Sequence, residues 1–121
     1  MTEIDLQTDA LIPGWLTVPD VAERLGVEVT RVRQLIRDRQ LLAVRRGEGA
    51  TLQVPEAFVR DGKLLKGLLG TLTLLTDAGY GELDSLRWLF TEDDTLPGSP
   101  ATALAENRGT EVKRRAQALG F

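Results

Sequence analysis

Residues 16–54 constrain the fold more than any other part of the chain, because they place a glycine turn between two short helical patterns. Thr17 precedes the first apolar pattern and can cap a helix, and Asp20, three residues later, can complete a capping box. Gly26 follows the pattern and is typical of a helix terminator, since glycine takes a positive φ without strain. The sequence therefore predicts a short helix that ends in a tight turn at Gly26.

The segment after this turn predicts a second amphipathic helix, over residues 29–37. Its apolar residues recur at helical spacing and form the expected buried stripe: Val29, Val32, Leu35 and Ile36. The opposite face carries guanidinium, amide and hydroxyl groups, which suit a groove lined by phosphates and base edges. The candidate groove-facing residues are Thr30, Arg31, Arg33, Gln34 and Arg37.

A hairpin is predicted after the second helix. Residues 41–46 and 51–54 have the composition of strands, and the glycine-rich residues 47–49 form the turn between them. Two helices around a tight turn, followed by a hairpin, are typical of a winged helix-turn-helix, which places its second helix in the DNA major groove.

This interpretation assigns roles to the basic residues. Helix 29–37 becomes the recognition helix, and residues 41–54 become the wing that lies on the sugar-phosphate backbone. Arg45 and Arg46 are expected to contact phosphates from the wing, with Arg39 in support.

The rest of the chain predicts three segments. Residues 1–15 are expected to form a flexible acidic tail, residues 16–62 the winged helix-turn-helix domain, and residues 63–121 a helical C-terminal domain. Within the last segment, helices are predicted over residues 65–77, 82–90 and 101–106, and Thr110 is predicted to cap a last helix that ends at residue 119. The expected fold is thus mainly α with a small β-hairpin wing, completed by a compact C-terminal helical bundle.

The charge is unevenly distributed. The formal net charge is −3, which is unusual for a nucleic-acid binder. Residues 29–46, however, carry six arginines against Asp38 alone. Because screening at physiological salt acts over about 8 Å, this local excess of positive charge matters more than the total.

The composition argues against an enzyme. The chain has no cysteine and no histidine, so thiol nucleophiles, most zinc sites and histidine-based acid–base catalysis are excluded. The consecutive acids at residues 92–94 lie in a predicted loop and lack a fixed third ligand, which favours a solvated loop over a metal site. We therefore expect a non-catalytic protein with no metal and no cofactor.

Two family resemblances support DNA binding. The pattern Thr17-Val18-Pro19-x-Val21-Ala22-x-x-Leu25-Gly26-Val27, with Val32-Arg33-x-Leu35-Ile36 after it, resembles the DNA-binding half of the MerR and excisionase superfamily. Leu74-Leu75-x-Asp77-x-Gly79-Tyr80, Leu86-Arg87-Trp88-Leu89-Phe90-Thr91 and Glu111-Val112-x-Arg114-Arg115-Ala116-Gln117-Ala118 resemble a small actinobacterial family of winged-helix DNA-binding proteins. The second resemblance covers most of residues 16–121 and leaves the N-terminal tail outside. It implies double-stranded DNA as the partner and a role in transcriptional regulation.

An alternative function remains open for the C-terminal half. Trp88-Leu89, Leu96-x-Gly98-x-Pro100, Ala103-Leu104 and Glu111-Val112 resemble the C-terminal domain of antitoxins, which would make this half an adaptor for a protein partner. On its own, Trp88 is more typical of a core residue than of a partner anchor. A homodimer through residues 63–121 is a further candidate, because one winged unit covers few base pairs.

Two expectations concern location and modification. No apolar run is long enough to span a bilayer and no export signal is recognisable, so we expect a cytoplasmic protein without membrane contact. Thr8, in the acidic tail, is expected to be accessible to a kinase, and a phosphate there would add up to about two negative charges that repel DNA near the wing.

Overall fold

The computed structural model describes residues 2–120, and in that range it is largely helical. The α-helices are α1 (Leu6–Leu11), α2 (Val18–Leu25), α3 (Val29–Arg37), α4 (Leu68–Asp77), α5 (Glu82–Phe90), α6 (Pro100–Ala105) and α7 (Gly109–Ala118). The strands are β1 (Trp15–Thr17), β2 (Val44–Arg46), β3 (Thr51–Pro55), β4 (Val59–Arg60) and β5 (Lys63–Leu64). A single 3-10 turn, Glu56–Phe58, joins β3 to β4. The prediction of a mainly α fold with a small hairpin wing is confirmed.

Helices α2 and α3 form the predicted helix-turn-helix. The Thr17 side chain accepts a hydrogen bond from the Asp20 amide at 3.3 Å, and Asp20 Oδ2 accepts one from the Thr17 amide at 3.1 Å. Gly26 ends α2 with φ +68°. The two helices pack against each other, and α3 occupies the predicted residues.

The wing belongs to a sheet of three strands rather than two. Strand β3 pairs with β2, as predicted, and also with β1, in antiparallel register with Leu16 opposite Val54. Strand β2 begins at Val44 rather than at residue 41, because residues 41–43 are buried in the core and have no strand partner. The sequence did not reveal β1, since its partner strand is distant along the chain.

The N-terminal segment differs from the expected flexible tail. Residues 6–11 form α1, capped by Asp5, and this helix packs against α5. Glu3 forms an isolated parallel bridge with Arg45, which extends the wing sheet at its outer edge. Ile12 is buried in the core. These contacts attach the segment to both halves of the protein.

The C-terminal half is the predicted helical bundle, preceded by a small hairpin. Strands β4 and β5 form that hairpin, which the sequence did not predict. Helix α5 has the predicted bounds, while α4 begins at Leu68 instead of residue 65, after Gly67 with φ +86°. Helix α6 begins and ends one residue earlier than predicted. Helix α7 begins at Gly109 and ends at Ala118, and its N-cap is Arg108 instead of the predicted Thr110. Trp88 is half-buried against the core and lines an open cavity beside Tyr80.

One hydrophobic core extends through both halves. Phe58, just after the wing, is fully buried, and its ring centroid lies 5.6 Å from that of Phe90 on α5. Because the core continues across residue 62, the division into domains at that position stays a prediction.

Within residues 2–120, none of the helices has the length and apolar character needed to cross a bilayer. Nor do acidic side chains gather there in a group of three or more that could hold a metal ion.

Candidate nucleic-acid interface

Helix α3 presents its polar face to solvent. Val32, Leu35 and Ile36 are buried against the core, as their spacing predicts. The five predicted groove-facing residues are all exposed: Thr30, Arg31, Arg33, Gln34 and Arg37. The polar face of α3 is therefore available to a ligand over the whole length of the helix.

The α3 face and the wing meet in a shallow groove. Arg33 and Arg37 of α3 and Arg45 of β2 line a cavity of about 210 Å³, whose apolar lining comes from Ile36 and Leu52. The structure thus brings three of the predicted arginines together from two elements. A guanidinium on each side of an apolar floor suits contact with a phosphate backbone or with guanine edges.

Within the α3 face, Arg31 and Gln34 are one turn apart and bonded to each other. Arg31 Nη1 donates a hydrogen bond to Gln34 Oε1 at 3.3 Å, with both side chains exposed. An amide that reads adenine needs both its donor and its acceptor. Gln34 keeps a second lone pair on Oε1 and both N–H donors for a base, while Arg31 helps to orient the amide.

Arg45 is exposed and also stabilises the wing turn. Its Nη1 donates to the Ala50 carbonyl at 3.0 Å, while its backbone amide and carbonyl bond to Thr2 and Ile4. These bonds hold Arg45, the middle residue of β2, beside the groove. Arg39, one residue beyond the C-cap of α3, is exposed at φ +59° and does not line the groove.

Arg46 is placed differently from the expectation. Its Nε lies 3.0 Å from Asp9 Oδ2, its guanidinium carbon lies 5.1 Å from the centroid of the Trp15 ring, and its Nη1 donates to Gln53 at 3.4 Å. The side chain is about one-third exposed. A phosphate would have to compete with the Asp9 carboxylate for this guanidinium, so Arg46 is a structural contact between the wing and α1 in this conformation.

The other five arginines of residues 29–46 are not neutralised in this way. Across residues 2–120, no carboxylate oxygen lies within 4.0 Å of Arg31, Arg33, Arg37, Arg39 or Arg45. These five guanidinium groups are therefore free of direct ion pairs within the described residues, despite the net charge of −3.

Thr8, the predicted modification site, is fully buried. Its hydroxyl donates to Asp5 Oδ2 at 3.0 Å, and its amide donates to Asp5 Oδ1 at 2.7 Å. These two bonds, with the backbone one first, hold the pKa of Asp5 below its usual value. The expectation of an accessible hydroxyl is wrong, because Thr8 is buried in the first turn of α1 and bonded to Asp5, the N-cap of that helix.

Comparison with known proteins gives consistent matches. A family model described as the winged helix-turn-helix domain of DNA-binding protein Rv2175c matches residues 3–59. A second, described as the Rv2175c C-terminal domain of unknown function, matches residues 65–120. DNA-binding protein Rv2175c of Mycobacterium tuberculosis (strain ATCC 25618 / H37Rv) is 41% identical over 117 residues, which cover 86% of this chain and 79% of that protein. The chain belongs to the Rv2175c family.

The fold agrees with this membership. The NMR structure of Rv2175c superposes with a TM-score of 0.83 at 35% identity, covering 100% of this chain and 89% of that one. The resemblance to an actinobacterial winged-helix family is confirmed. The match from residue 3 also includes α1, which lies outside the residues that carry the sequence resemblance.

Proposed function

We propose that this protein binds double-stranded DNA, with α3 in the major groove and the wing on the adjacent backbone, and that it regulates transcription without catalysis. The observation that carries the proposal is the convergence of Arg33, Arg37 and Arg45 on one groove without an acidic partner among residues 2–120. The groove is built on a winged helix-turn-helix, and the M. tuberculosis relative is named a DNA-binding protein.

The proposal divides the residues into two roles. Thr30, Arg31, Arg33, Gln34 and Arg37 face the bases or the flanking phosphates from α3. Arg45 holds phosphates from the wing, and Arg39 supports it from beyond the end of α3. Arg46 contributes only after its ion pair with Asp9 has opened. Phosphate contacts set affinity, while α3 supplies the sequence preference.

Binding to random duplexes at two salt concentrations tests the proposal. We expect retardation in a mobility-shift assay at low salt, weaker binding at the higher concentration, and enrichment of a defined sequence after repeated selection. Failure to retard any duplex at low salt would contradict DNA binding. The stoichiometry at saturation shows whether one copy or two occupy the selected site.

A reporter assay separates regulation from binding alone. The selected sequence is placed in the promoter of a reporter gene in bacterial cells, because we expect the protein to act in the cytoplasm. Expression should change with the wild-type protein and stay at the basal level with Arg33→Ala/Arg37→Ala. Equal reporter output from the two would leave DNA binding standing and exclude regulation through that site.

A further inference from the structure

A second basic surface lies away from the groove between α3 and the wing. It consists of Arg60, Lys63, Lys66 and Lys113, all of them exposed, and we call it the C-terminal basic groove. These residues line two adjoining cavities of about 360 and 190 Å³, which share Lys66 in their walls. Asp61 is the one carboxylate in either lining. This excess of positive charge is local, because the whole chain carries 15 bases and 18 acids.

The hairpin β4–β5 places like charges opposite each other. Arg60 and Lys63 are cross-strand partners, separated by a turn in which Asp61 and Gly62 both have positive φ. Like charges at directly opposed positions destabilise a strand pair. Two positive charges therefore flank the turn, with the Asp61 carboxylate 3.9 Å from Arg60, and an anion bound there would relieve the repulsion between them.

The lysines of the groove have no acidic partner in the structure. Over residues 2–120, no carboxylate oxygen lies within 4.0 Å of Lys63, Lys66 or Lys113. Arg60 has a distant one, Asp61 at 3.9 Å, and its Nη1 donates to the Ala105 carbonyl at 3.2 Å. The groove thus presents three free ammonium groups and one anchored guanidinium.

Gly70 helps to position Lys113. A Cβ atom at Gly70 would lie 2.8 Å from Lys113 Cε and 3.0 Å from its Nζ, so the absence of a side chain lets the lysine lie across α4. The Lys113 ammonium therefore stays close to the bundle, on the same groove as Lys66.

The C-terminal basic groove begins beside the helix-turn-helix. The groove between α3 and the wing involves Arg33 and Arg37, in the middle and at the end of α3. The hairpin tip lies beside the C-terminal end of α2, since a Cβ at Gly62 would be 3.6 Å from the Arg24 carbonyl, two residues before the turn glycine that leads into α3. A duplex seated on α3 continues past both ends of this nine-residue helix, which is only about 14 Å long.

We propose that the C-terminal basic groove binds backbone phosphates of the same duplex, beyond the segment held by α3 and the wing. This inference rests on the proposed DNA binding and gives a function to the half of the chain that matches a domain of unknown function. Ammonium groups bind phosphates as point charges without reading sequence, so the groove adds affinity and salt dependence but no base preference.

The test compares Lys63→Gln/Lys66→Gln/Lys113→Gln with the wild type on a duplex several helical turns long. Each lost phosphate contact reduces the magnitude of the slope of log K against log[salt] by about 0.9. We therefore expect this magnitude to decrease by between about two and three. Arg114→Gln is the matched control: it removes an exposed charge from α7 next to Lys113 but outside both cavities, and it should leave the slope unchanged. Glutamine keeps most of the side-chain stem, and far-UV circular dichroism checks the fold.

Amide chemical shifts of the wild type provide a second measurement without substitution. On addition of the long duplex, we expect shifts in residues 60–66 and 107–113 as well as in α3 and the wing. A duplex trimmed to the selected site should shift α3 and the wing but not residues 60–66 and 107–113. An unchanged slope in the triple variant, or an equal loss in Arg114→Gln, would overturn the inference while leaving DNA binding through α3 intact. Absence of binding by the wild type would instead remove the proposed function itself and the inference with it. Shifts in the groove on addition of an acidic peptide but not of the duplex would assign the groove to a protein partner and overturn the DNA role.

Discussion

Arg46 and Asp9 form an ion pair, with Nε of the arginine 3.0 Å from Oδ2 of the aspartate, and the pair joins the wing to α1. The neighbouring Arg45 has no carboxylate within 4.0 Å among residues 2–120. Two adjacent arginines of one strand therefore have different electrostatic environments. This difference gives a direct comparison between an arginine that is available to DNA and one that is held by the protein.

Arg45→Ala should weaken the salt dependence of DNA binding more than Arg46→Ala does. Removing Arg45 should reduce the magnitude of the slope of log K against log[salt] by about one, because an available phosphate contact is lost. Removing Arg46 should change the slope less, since Asp9 already serves as its counterion. Fluorescence anisotropy titrations at several salt concentrations measure both slopes. Equal decreases in the two variants would mean that the Asp9 pair opens when DNA binds.

Thr17→Ala should destabilise the protein by about 1 kcal/mol, because it removes the side-chain cap of α2. Urea denaturation followed by circular dichroism measures the change in the free energy of unfolding. Thr30→Ala is the control, since Thr30 is exposed and α3 has no side-chain cap. A cost as large in Thr30→Ala as in Thr17→Ala would show that the capping box does not stabilise this helix specifically.

Acidification should destabilise the protein below about pH 4. Hydrogen bonds from the Thr17 amide and then from its hydroxyl lower the pKa of Asp20, and the amide and hydroxyl of Thr8 do the same for Asp5. Because these pKa values are lower in the folded state, the unfolded chain binds more protons as the pH falls. Their contribution is thus complete above the ordinary aspartate pKa and is lost as the pH falls through the folded one.

Denaturation midpoints between pH 6 and pH 3 measure this dependence, over a range chosen to span the usual aspartate pKa of about 3.9. Asp20→Asn removes one of the titrating groups and should flatten the acid limb. A limb as steep in Asp20→Asn as in the wild type would exclude Asp20 as a source of the pH dependence.

Phe58→Ala should destabilise both halves of the protein together, by about 3–5 kcal/mol. Phe58 is fully buried and its ring packs near Phe90 of α5, so the cavity opens in the core that the halves share. The two tryptophans report separately, because Trp15 lies on β1 and Trp88 on α5. A Trp88→Phe variant reports on the first half through Trp15, and a Trp15→Phe variant reports on the second half through Trp88. The unfolding curves of these two variants should coincide, both with and without Phe58→Ala. Separate midpoints would establish two independently unfolding domains.

Local signals made most of the helices predictable. The Thr17 cap, the turn at Gly26 and the apolar stripe of α3 are encoded by neighbouring residues, so their bounds follow from spacing alone. Strand β1 has only three residues and acquires its structure from β3, far along the chain, which no local pattern reveals. The short helix α1 was missed for a related reason: six residues are too few to show a periodicity.

The candidate site was predictable by composition but not by geometry. The sequence identified the arginines, because their clustering and helical spacing are visible in the chain. It could not separate Arg45 from Arg46, since the partner of Arg46 is Asp9, a residue brought close only by the packing of α1. The sequence does not point to the lysines of the C-terminal basic groove, because Lys63, Lys66 and Lys113 come from different segments and converge only in the fold.

The salt dependence of DNA binding by Arg33→Ala/Arg37→Ala/Arg45→Ala tests the central claim most directly. The three side chains line one groove, so their joint removal should lower the slope of log K against log[salt] by about three and abolish preference for the selected sequence. Arg114→Ala, measured beside it, should bind as the wild type does. A triple variant that keeps the wild-type slope and sequence preference would show that DNA does not bind at the surface formed by α3 and the wing.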